Sequence, residues 1–214
     1  GGIDQAVSRR HRAVQITAGL RASTLQFEDD RNLYALELAT GKKVWAFTNS
    51  DAIESSPLVL DGKVFVGSSD ANLYALDAVT GKQLWKYTTG DKILGAPNWF
   101  VSGGQTNVLI GSYDFKLHCL AAATGRSNWV YESANYINGS PAVAEGKTAF
   151  GGGDGQLHVI ALADGTQVQS IEVGAPIAAS VALSVVQWVH MHFLFTLGDH
   201  KSLSVSLLAL IHIA

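Results

Sequence analysis

Apolar and polar residues alternate in short runs along much of this chain. One such run, Asn72-Leu-Tyr-Ala-Leu-Asp77, leads through Thr80-Gly81 into a second run, Gln83-Leu-Trp-Lys-Tyr87. Alternation with a period of two is typical of a half-buried β-strand. Glycine supplies the positive φ that a tight hairpin turn needs. The stretch therefore predicts two antiparallel strands joined by a turn.

This hairpin occurs four times along the chain. The copies begin at Ala35, Ala75, Cys119 and Val159, so the successive steps are 40, 44 and 40 residues. A fixed period of this size indicates a repeat architecture. The turn glycines are Gly41, Gly81, Gly125 and Gly165, and a tryptophan follows three of them at Trp45, Trp85 and Trp129. We expect each large, flat indole to pack between neighbouring units rather than to bind a ligand.

Two further signatures keep the same period. An Ile-x-x-Ser-Pro pattern occupies residues 53–57 and 137–141 and is recognisable at 93–97 and 177–181. Pro is expected to begin a strand there, because no ladder donor is needed at that point. The other signature begins with an acidic residue, at Asp30, Asp70, Asp114 and Asp154. A metal site is the alternative for these aspartates, but each is alone in its unit, so we interpret them as turn residues that accept backbone N–H bonds.

Each unit therefore contains four short strands in forty-odd residues, which is the pattern of a β-propeller blade. The apolar segments 57–60, 63–66, 107–110 and 147–150 supply the remaining strands, and 23–27 is a further candidate. The four extra residues of the third unit fall within 102–107, which we predict to be a loop.

The pattern Ala-x-Asp-x-x-Thr-Gly-x-x-x-Trp resembles the tryptophan-docking motif of the pyrroloquinoline-quinone (PQQ) repeat β-propellers. Asp77 keeps the acid of that motif, Glu37 is close to it, and Ala121 and Ala161 have lost it; Gln169 replaces the fourth tryptophan. The resemblance implies an all-β fold of four-stranded antiparallel blades. It implies about eight blades in a closed ring, of which this chain would supply four to five as a fragment.

The 214 residues carry a formal charge of −3, with 47% hydrophobic and 15% charged residues. This balance predicts a sizeable core and no nucleic-acid partner. The single cysteine, Cys119, occupies a small strand position and is expected to be a buried, inert thiol. The apolar tail is too short to span a bilayer, so no transmembrane segment is expected.

We predict three regions: an N-terminal segment over 1–21 without a clear element, propeller repeats over 22–183, and a divergent apolar tail over 184–214. The tail is either a degenerate blade, which includes a candidate strand at Gln187–Met191, or the product of an altered reading frame. The first residue is Gly1 and no signal peptide is visible, which indicates a fragment or a processed chain.

The sequence gives little sign of chemistry. No Cys-Cys pair or converging Asn/Glu/Asp set is present of the kind that the quinoprotein branch of the family uses for catalysis with PQQ and Ca²⁺. His190 and His192 suggest a metal, but no third ligand is recognisable. We therefore expect no catalytic residue, no metal and no bound cofactor, PQQ included.

Two functions stay open. The first is a non-catalytic scaffold that binds another protein or further blades of the same propeller, with residues 49–51, 89–91 and 133–135 as contact loops. The second is a fragment of a PQQ-dependent dehydrogenase whose catalytic blades lie elsewhere. The resemblance, which extends to BamB-like outer-membrane assembly lipoproteins and to kinase sensor domains, implies a periplasmic or cell-envelope location.

Overall fold

The structure, a computed structural model, describes residues 12–16, 23–27, 31–181, 192–197 and 201–206, with side chains described over 31–181. The strands within these residues are, in chain order, β1 (Arg12–Ile16), β2 (Ser23–Phe27), β3 (Asn32–Glu37), β4 (Lys43–Thr48), β5 (Leu58–Leu60), β6 (Lys63–Gly67), β7 (Asn72–Asp77), β8 (Gln83–Thr88), β9 (Asn98–Ser102), β10 (Gln105–Gly111), β11 (Lys116–Ala121), β12 (Ser127–Glu132), β13 (Ala142–Ala144), β14 (Lys147–Gly151), β15 (Gln156–Ala161), β16 (Gln167–Glu172), β17 (His192–Leu197) and β18 (Lys201–Ser206). The described part contains no helix, so the predicted all-β class is confirmed.

The strands form four antiparallel sheets of four strands, each a meander in chain order, and the hairpin β17–β18. We call the four sheets blades 1 to 4, starting with β1–β4. This is the repeated architecture that the period predicts. Blade 1 also includes β1, which the sequence pattern did not indicate because no Ile-x-x-Ser-Pro signature precedes it. The candidate strand at 23–27 is confirmed as β2, whereas Gln187–Met191 lies outside the described residues.

The core lies between the blades. Leu33 of blade 1 clusters with Val64 of blade 2, and Phe65 of blade 2 clusters with Val108 of blade 3. Blades 2 and 3 each bury one face against the preceding blade and the other against the next, so their two central strands are almost fully buried. In blade 2, every residue of β7 except the last is buried. We call each contact between adjacent blades a seam.

The first and fourth strands of a blade lie in different environments. The segments before β5, β9 and β13 bond to one another: Ser55 Oγ donates to the carbonyl of Gly95 at 2.9 Å, and Ala96 N–H donates to Ser140 Oγ at 2.8 Å. Fourth strands such as β8 alternate between exposed and half-buried residues. The first strands therefore form the inner edge, where blades approach one another, and the fourth strands form the outer edge.

The meander places the connections on two faces. The upper face holds the blade-to-blade loops 49–57, 89–97, 133–141 and 173–181 and the turns 68–71, 112–115 and 152–155 between second and third strands. The lower face holds the turns at 38–42, 78–82, 122–126 and 162–166, which carry the Thr-Gly pairs or their Asp-Gly counterpart, and the turns between first and second strands. The two faces therefore present different sets of loops to solvent.

The predicted loop at 102–107 is wrong. β9 and β10 continue pairing up to Ser102 and Gln105, so the four extra residues lengthen a hairpin. Gly103 and Gly104 have φ values of 57° and 75°. Two consecutive residues with positive φ match the twist of a two-residue hairpin turn, which lets both flanking strands extend.

Candidate functional site

The motif residues predicted from the repeat meet on the lower face. The indole N–H of each tryptophan donates to a carbonyl in the next blade: Trp45 to Ala78 at 3.0 Å, Trp85 to Ala122 at 3.2 Å and Trp129 to Leu162 at 3.1 Å. Each ring also covers a turn glycine of that blade, in the pairs Trp45–Gly81, Trp85–Gly125 and Trp129–Gly165. Gly41 has the same positive φ, 68°, with nothing within 4 Å of the place of its missing Cβ.

Asp77 closes the turn of its own blade. Its Oδ1 accepts bonds from the N–H groups of Val79 and Thr80 at 3.1 and 2.7 Å and from the Thr80 hydroxyl at 2.8 Å. The Thr80 hydroxyl and N–H lower the pKa of this carboxyl. Across the hairpin Trp85 pairs with Ala75, and Cys119 occupies the equivalent place opposite Trp129. Cys119 is buried as expected, and burial raises the pKa of its thiol to about 12.

The aspartates of the other signature lie in turns of the upper face, as predicted. Asp70, Asp114 and Asp154 each accept a bond at 3.1 Å from the backbone N–H two residues on. Asp30 lies outside the described residues. No group of three or more His, Cys, Asp or Glu side chains is placed to hold a metal ion in the part with described side chains, to which His190 and His192 do not belong.

Sequence reasoning missed a buried relay beneath these turns. Asp114 contacts His118 Nε2 at 3.1 Å, and His118 Nδ1 lies 3.2 Å from the hydroxyl of Tyr87 in the preceding blade. The relay is repeated one seam later by Asp154, His158 and Tyr131, at 2.8 and 3.0 Å. The signal was present, because His118 and His158 stand four residues after the aspartates. Both relays are covered by protein and connect neighbouring blades, which fits a structural role.

The loops predicted as contact loops are only partly exposed. Thr89 and Ser133 are buried, and their hydroxyls donate to the carbonyls of Ala71 and Phe115 at 3.0 and 2.9 Å. Each bond fastens the start of its loop to a turn of the blade that the loop leaves. The exposed members are Asp51, Gly90, Asp91 and Ala134 with Ser50.

Blade 3 gives the upper face its aromatic residues. Tyr113 stacks on Tyr136 of the neighbouring loop, with ring centroids 4.7 Å apart and planes within 7°. Lys92 Nζ lies 4.5 Å from the Tyr113 centroid. Tyr136 has room for its ring because Gly153 faces it; a Cβ there would lie 2.8 Å from the ring. The equivalent seam between blades 1 and 2 carries Ala52 and Ser69 in place of Lys92 and Tyr113.

Phe115 is the most unusual residue of this face. It is 44% exposed and has a φ of 70°, in the left-handed region that bulky residues rarely adopt. The same position in the other blades holds Arg31, Ala71 and Gly155, all with positive φ. Glycine adopts this conformation without strain, so the backbone has no need of phenylalanine here. We call Tyr113, Phe115 and Tyr136 the aromatic surface of blade 3.

In the part of the chain that the structure describes, we find no helix with the length and apolar character to cross a membrane. The comparison with curated proteins gives no match. Many solved structures share the fold, and two of them serve as examples. BamB from Moraxella catarrhalis is 18% identical, with a TM-score of 0.70 over 87% of this chain and 58% of that one. The computationally designed Ika8 protein is 15% identical, with a TM-score of 0.71 over 86% and 55%. The chain thus spans less than two thirds of either structure.

A family model described as outer membrane protein assembly factor BamB matches residues 8–98 and 92–193. These two matches cover most of the sequence and include all four blades. The chain therefore belongs to this BamB-like family of PQQ-repeat β-propellers.

Proposed function

We propose that the chain is a non-catalytic propeller scaffold of the cell envelope that binds another protein through the aromatic surface of blade 3. The strained and exposed Phe115 carries this proposal. The fold requires the left-handed conformation at this position but not a large apolar side chain, and non-glycine residues held in that region often accompany a functional site. The family description, an outer membrane protein assembly factor, supports a protein partner and an envelope location.

The chemistry of the surface suits a protein interface. Aromatic residues are enriched in interface cores and dominate their binding energy. Tyr113 and Tyr136 hold each other in one arrangement, so little side-chain freedom is left to lose on binding. Exposed carboxylates at Asp51, Glu54 and Asp91 lie in the loops of the same face and would form a polar rim.

The histidine–aspartate pairs, which are the groups best suited to acid–base chemistry, take part in the buried relays between blades. The side chains of His158 and Asp154 are 5% and 6% exposed, and each is bonded within its seam. This use supports the non-catalytic part of the proposal. Titration with PQQ and Ca²⁺, followed by tryptophan fluorescence, is expected to give no saturable change. Saturable binding at micromolar concentration would instead favour the dehydrogenase fragment.

The docking surface is tested by Phe115→Gly, which introduces the residue that blade 4 has at this position. We expect the stability of the fold to be unchanged or to rise by about 1 kcal/mol, because glycine relieves the left-handed strain. Proteins captured from an envelope extract by the wild-type chain, quantified by mass spectrometry, should be lost with this variant and with Tyr136→Ala.

The matched control is Leu84→Ser, which removes an apolar side chain of similar exposure, 49%, from the outer edge. It should leave the captured proteins unchanged. Capture that survives Phe115→Gly, or that Leu84→Ser abolishes equally, would contradict a docking surface on blade 3.

A further inference from the structure

The turn that presents Phe115 is built around Asp114. Asp114 Oδ1 accepts the N–H of Lys116 at 3.1 Å, so Phe115 is the middle residue of a turn closed by a side chain. The N–H of Asp114 donates to Ser112 Oγ at 3.1 Å. Asp114, the residue before Phe115, thus fixes the turn through one bond to Ser112 and one to Lys116.

The same carboxylate reaches beyond the turn. Its Oδ2 accepts the N–H of Gly90 in the blade-to-blade loop at 2.9 Å and lies 3.1 Å from His118 Nε2. His118 is in turn oriented by Tyr87 across the seam. Burial alone would raise the pKa of the Asp114 carboxyl, but the bonds from His118 and Gly90 outweigh burial and lower it to about 2. Asp114 is therefore ionised and fixed from several directions.

The other end of Phe115 is also held. Its carbonyl oxygen accepts both the N–H and the hydroxyl of Ser133, at 2.8 and 2.9 Å. Ser133 begins the loop that carries Tyr136. The position of the Phe115 backbone therefore couples the Asp114 turn to the second half of the aromatic surface.

Blade 4 contains a natural reference for this arrangement. Asp154 and His158 repeat the turn and the relay, and the carbonyl of Gly155 accepts the N–H of Val173 at 2.9 Å. The left-handed residue there is glycine, with a φ of 73°. The turn bond, the histidine contact and the backbone bond from the loop hold a strained residue in blade 3 and an unstrained one in blade 4. The hydroxyl bonds of Ser112 and Ser133 are missing in blade 4, where Gly152 and Val173 occupy those positions.

We propose that Asp114 and His118 are positioning residues that hold Phe115 in its strained, exposed conformation and so maintain the aromatic surface of blade 3. This inference rests on the proposed docking function of that surface. If it is correct, Phe115 should leave its left-handed conformation when the Asp114 side chain is removed. The equivalent change in blade 4, Asp154→Ala, should leave the Gly155 backbone in place, because glycine adopts this conformation without strain.

Amide hydrogen exchange tests the release without a partner. Asp114→Ala should speed exchange of the Ser133 N–H by about tenfold, although the two residues do not bond to each other, because the Phe115 carbonyl moves away. Asp154→Ala should speed exchange of the Val173 N–H by less than about twofold. Equal effects at the two sites would overturn the inference.

Blade 2 shows which substitution of His118 should preserve the contact with the turn aspartate. Tyr74 occupies the equivalent position in blade 2 and donates to Asp70 Oδ2 at 2.6 Å. His118→Tyr should therefore keep the slow exchange of Ser133, whereas His118→Leu should lose it. A tyrosine variant that exchanges as fast as the leucine variant would count against a positioning role for His118.

A double-variant cycle separates positioning from a purely structural contribution. In the presence of Asp114, Phe115→Gly should raise the equilibrium constant for folding. The increase should be about threefold or more greater than in the Asp114→Ala background, because Phe115 is strained only while the turn is held. An additive result would overturn the inference.

The cycle involves no partner, so it distinguishes the two proposals. Loss of capture in Phe115→Gly together with an additive cycle would leave the docking function standing and refute the positioning role. Non-additivity with unchanged capture would show that Asp114 holds the turn and that the docking function is wrong, which also overturns the stated purpose of the positioning.

Discussion

The indole ring of Trp45 lies directly over the backbone of Gly81 in the next blade. A Cβ atom placed at position 81 would lie 2.6 Å from Cδ2 of Trp45. The same relation joins Trp85 to Gly125 and Trp129 to Gly165. Glycine is therefore required at these turns for two reasons, its positive φ and the close approach of the ring.

These two reasons can be separated by substitution. Gly41 and Gly81 have φ values of 68° and 70°, but only Gly81 faces a ring. Gly41→Ala should lower the free energy of unfolding by about 1–2 kcal/mol through backbone strain alone. Gly81→Ala should cost about 1–3 kcal/mol more, because the methyl group displaces the indole. Chemical denaturation of the two variants, with equal losses, would contradict docking of Trp45 on this glycine.

Removal of a ring tests the seam from the other side. Trp85 bonds to Ala122 and packs near Phe65, with ring centroids 5.7 Å apart. Trp85 is partly buried, so Trp85→Ala should lower the free energy of unfolding by about 3 kcal/mol, the low end of the usual range for deleting a tryptophan side chain. Trp85→Phe keeps part of the packing and should cost less. A loss below about 1 kcal/mol in the alanine variant, on the same scale, would show that the ring does not support the seam.

Much of this fold is predictable from local chemistry, because each blade repeats the same turns. Period-two alternation placed the central strands, and the Asx-type turns at Asp70 and Asp114 followed from residue type. The extended hairpin at Gly103-Gly104 did not follow, because a glycine pair is compatible with a loop and with a tight turn. Only the pairing of Ser102 with Gln105 decides between them.

The candidate site was harder to predict for a physical reason. Thr89 and Ser133 are polar and stand in loops, so the sequence indicates exposure, yet both are buried and their hydroxyls donate to backbone carbonyls. Phe115 is apolar and follows a turn aspartate, so it gives no sign of being exposed. The sequence signal for its left-handed conformation is Gly155, the one glycine at this position in the four repeats.

Acid should weaken the seam between blades 2 and 3 through Asp114. The pKa of this carboxyl is about 2 in the folded chain, against an ordinary value of 3.8. A depressed pKa adds stability above the ordinary value, and that stability is lost as the pH falls through the folded pKa. Asp114→Asn should therefore flatten the decline in unfolding free energy between about pH 4 and pH 2. Denaturant titrations across this range check it; an unchanged acid slope would contradict the assignment.

One buried hydroxyl is expected to destabilise the fold, and the equivalent residues of the other blades suggest a stabilising substitution. Thr148 of β14 is fully buried, and its Oγ1 has no hydrogen-bond partner. The equivalent residues in blades 2 and 3 are Val64 and Val108, both fully buried. A buried hydroxyl without a partner carries a desolvation penalty, so Thr148→Val should raise the free energy of unfolding by about 1–2 kcal/mol.

The control for this change is Thr88→Val. Thr88 Oγ1 donates to Asn72 Oδ1 at 2.7 Å, so its removal should lower stability slightly. Urea unfolding at constant m-value measures both variants. The two threonines are expected to give opposite signs because Thr148 has a buried hydroxyl without a partner, whereas Thr88 is exposed and its hydroxyl is bonded. If Thr148→Val were destabilising, the hydroxyl would have to make a bond in solution, and the seam between blades 3 and 4 would not be purely apolar at that point.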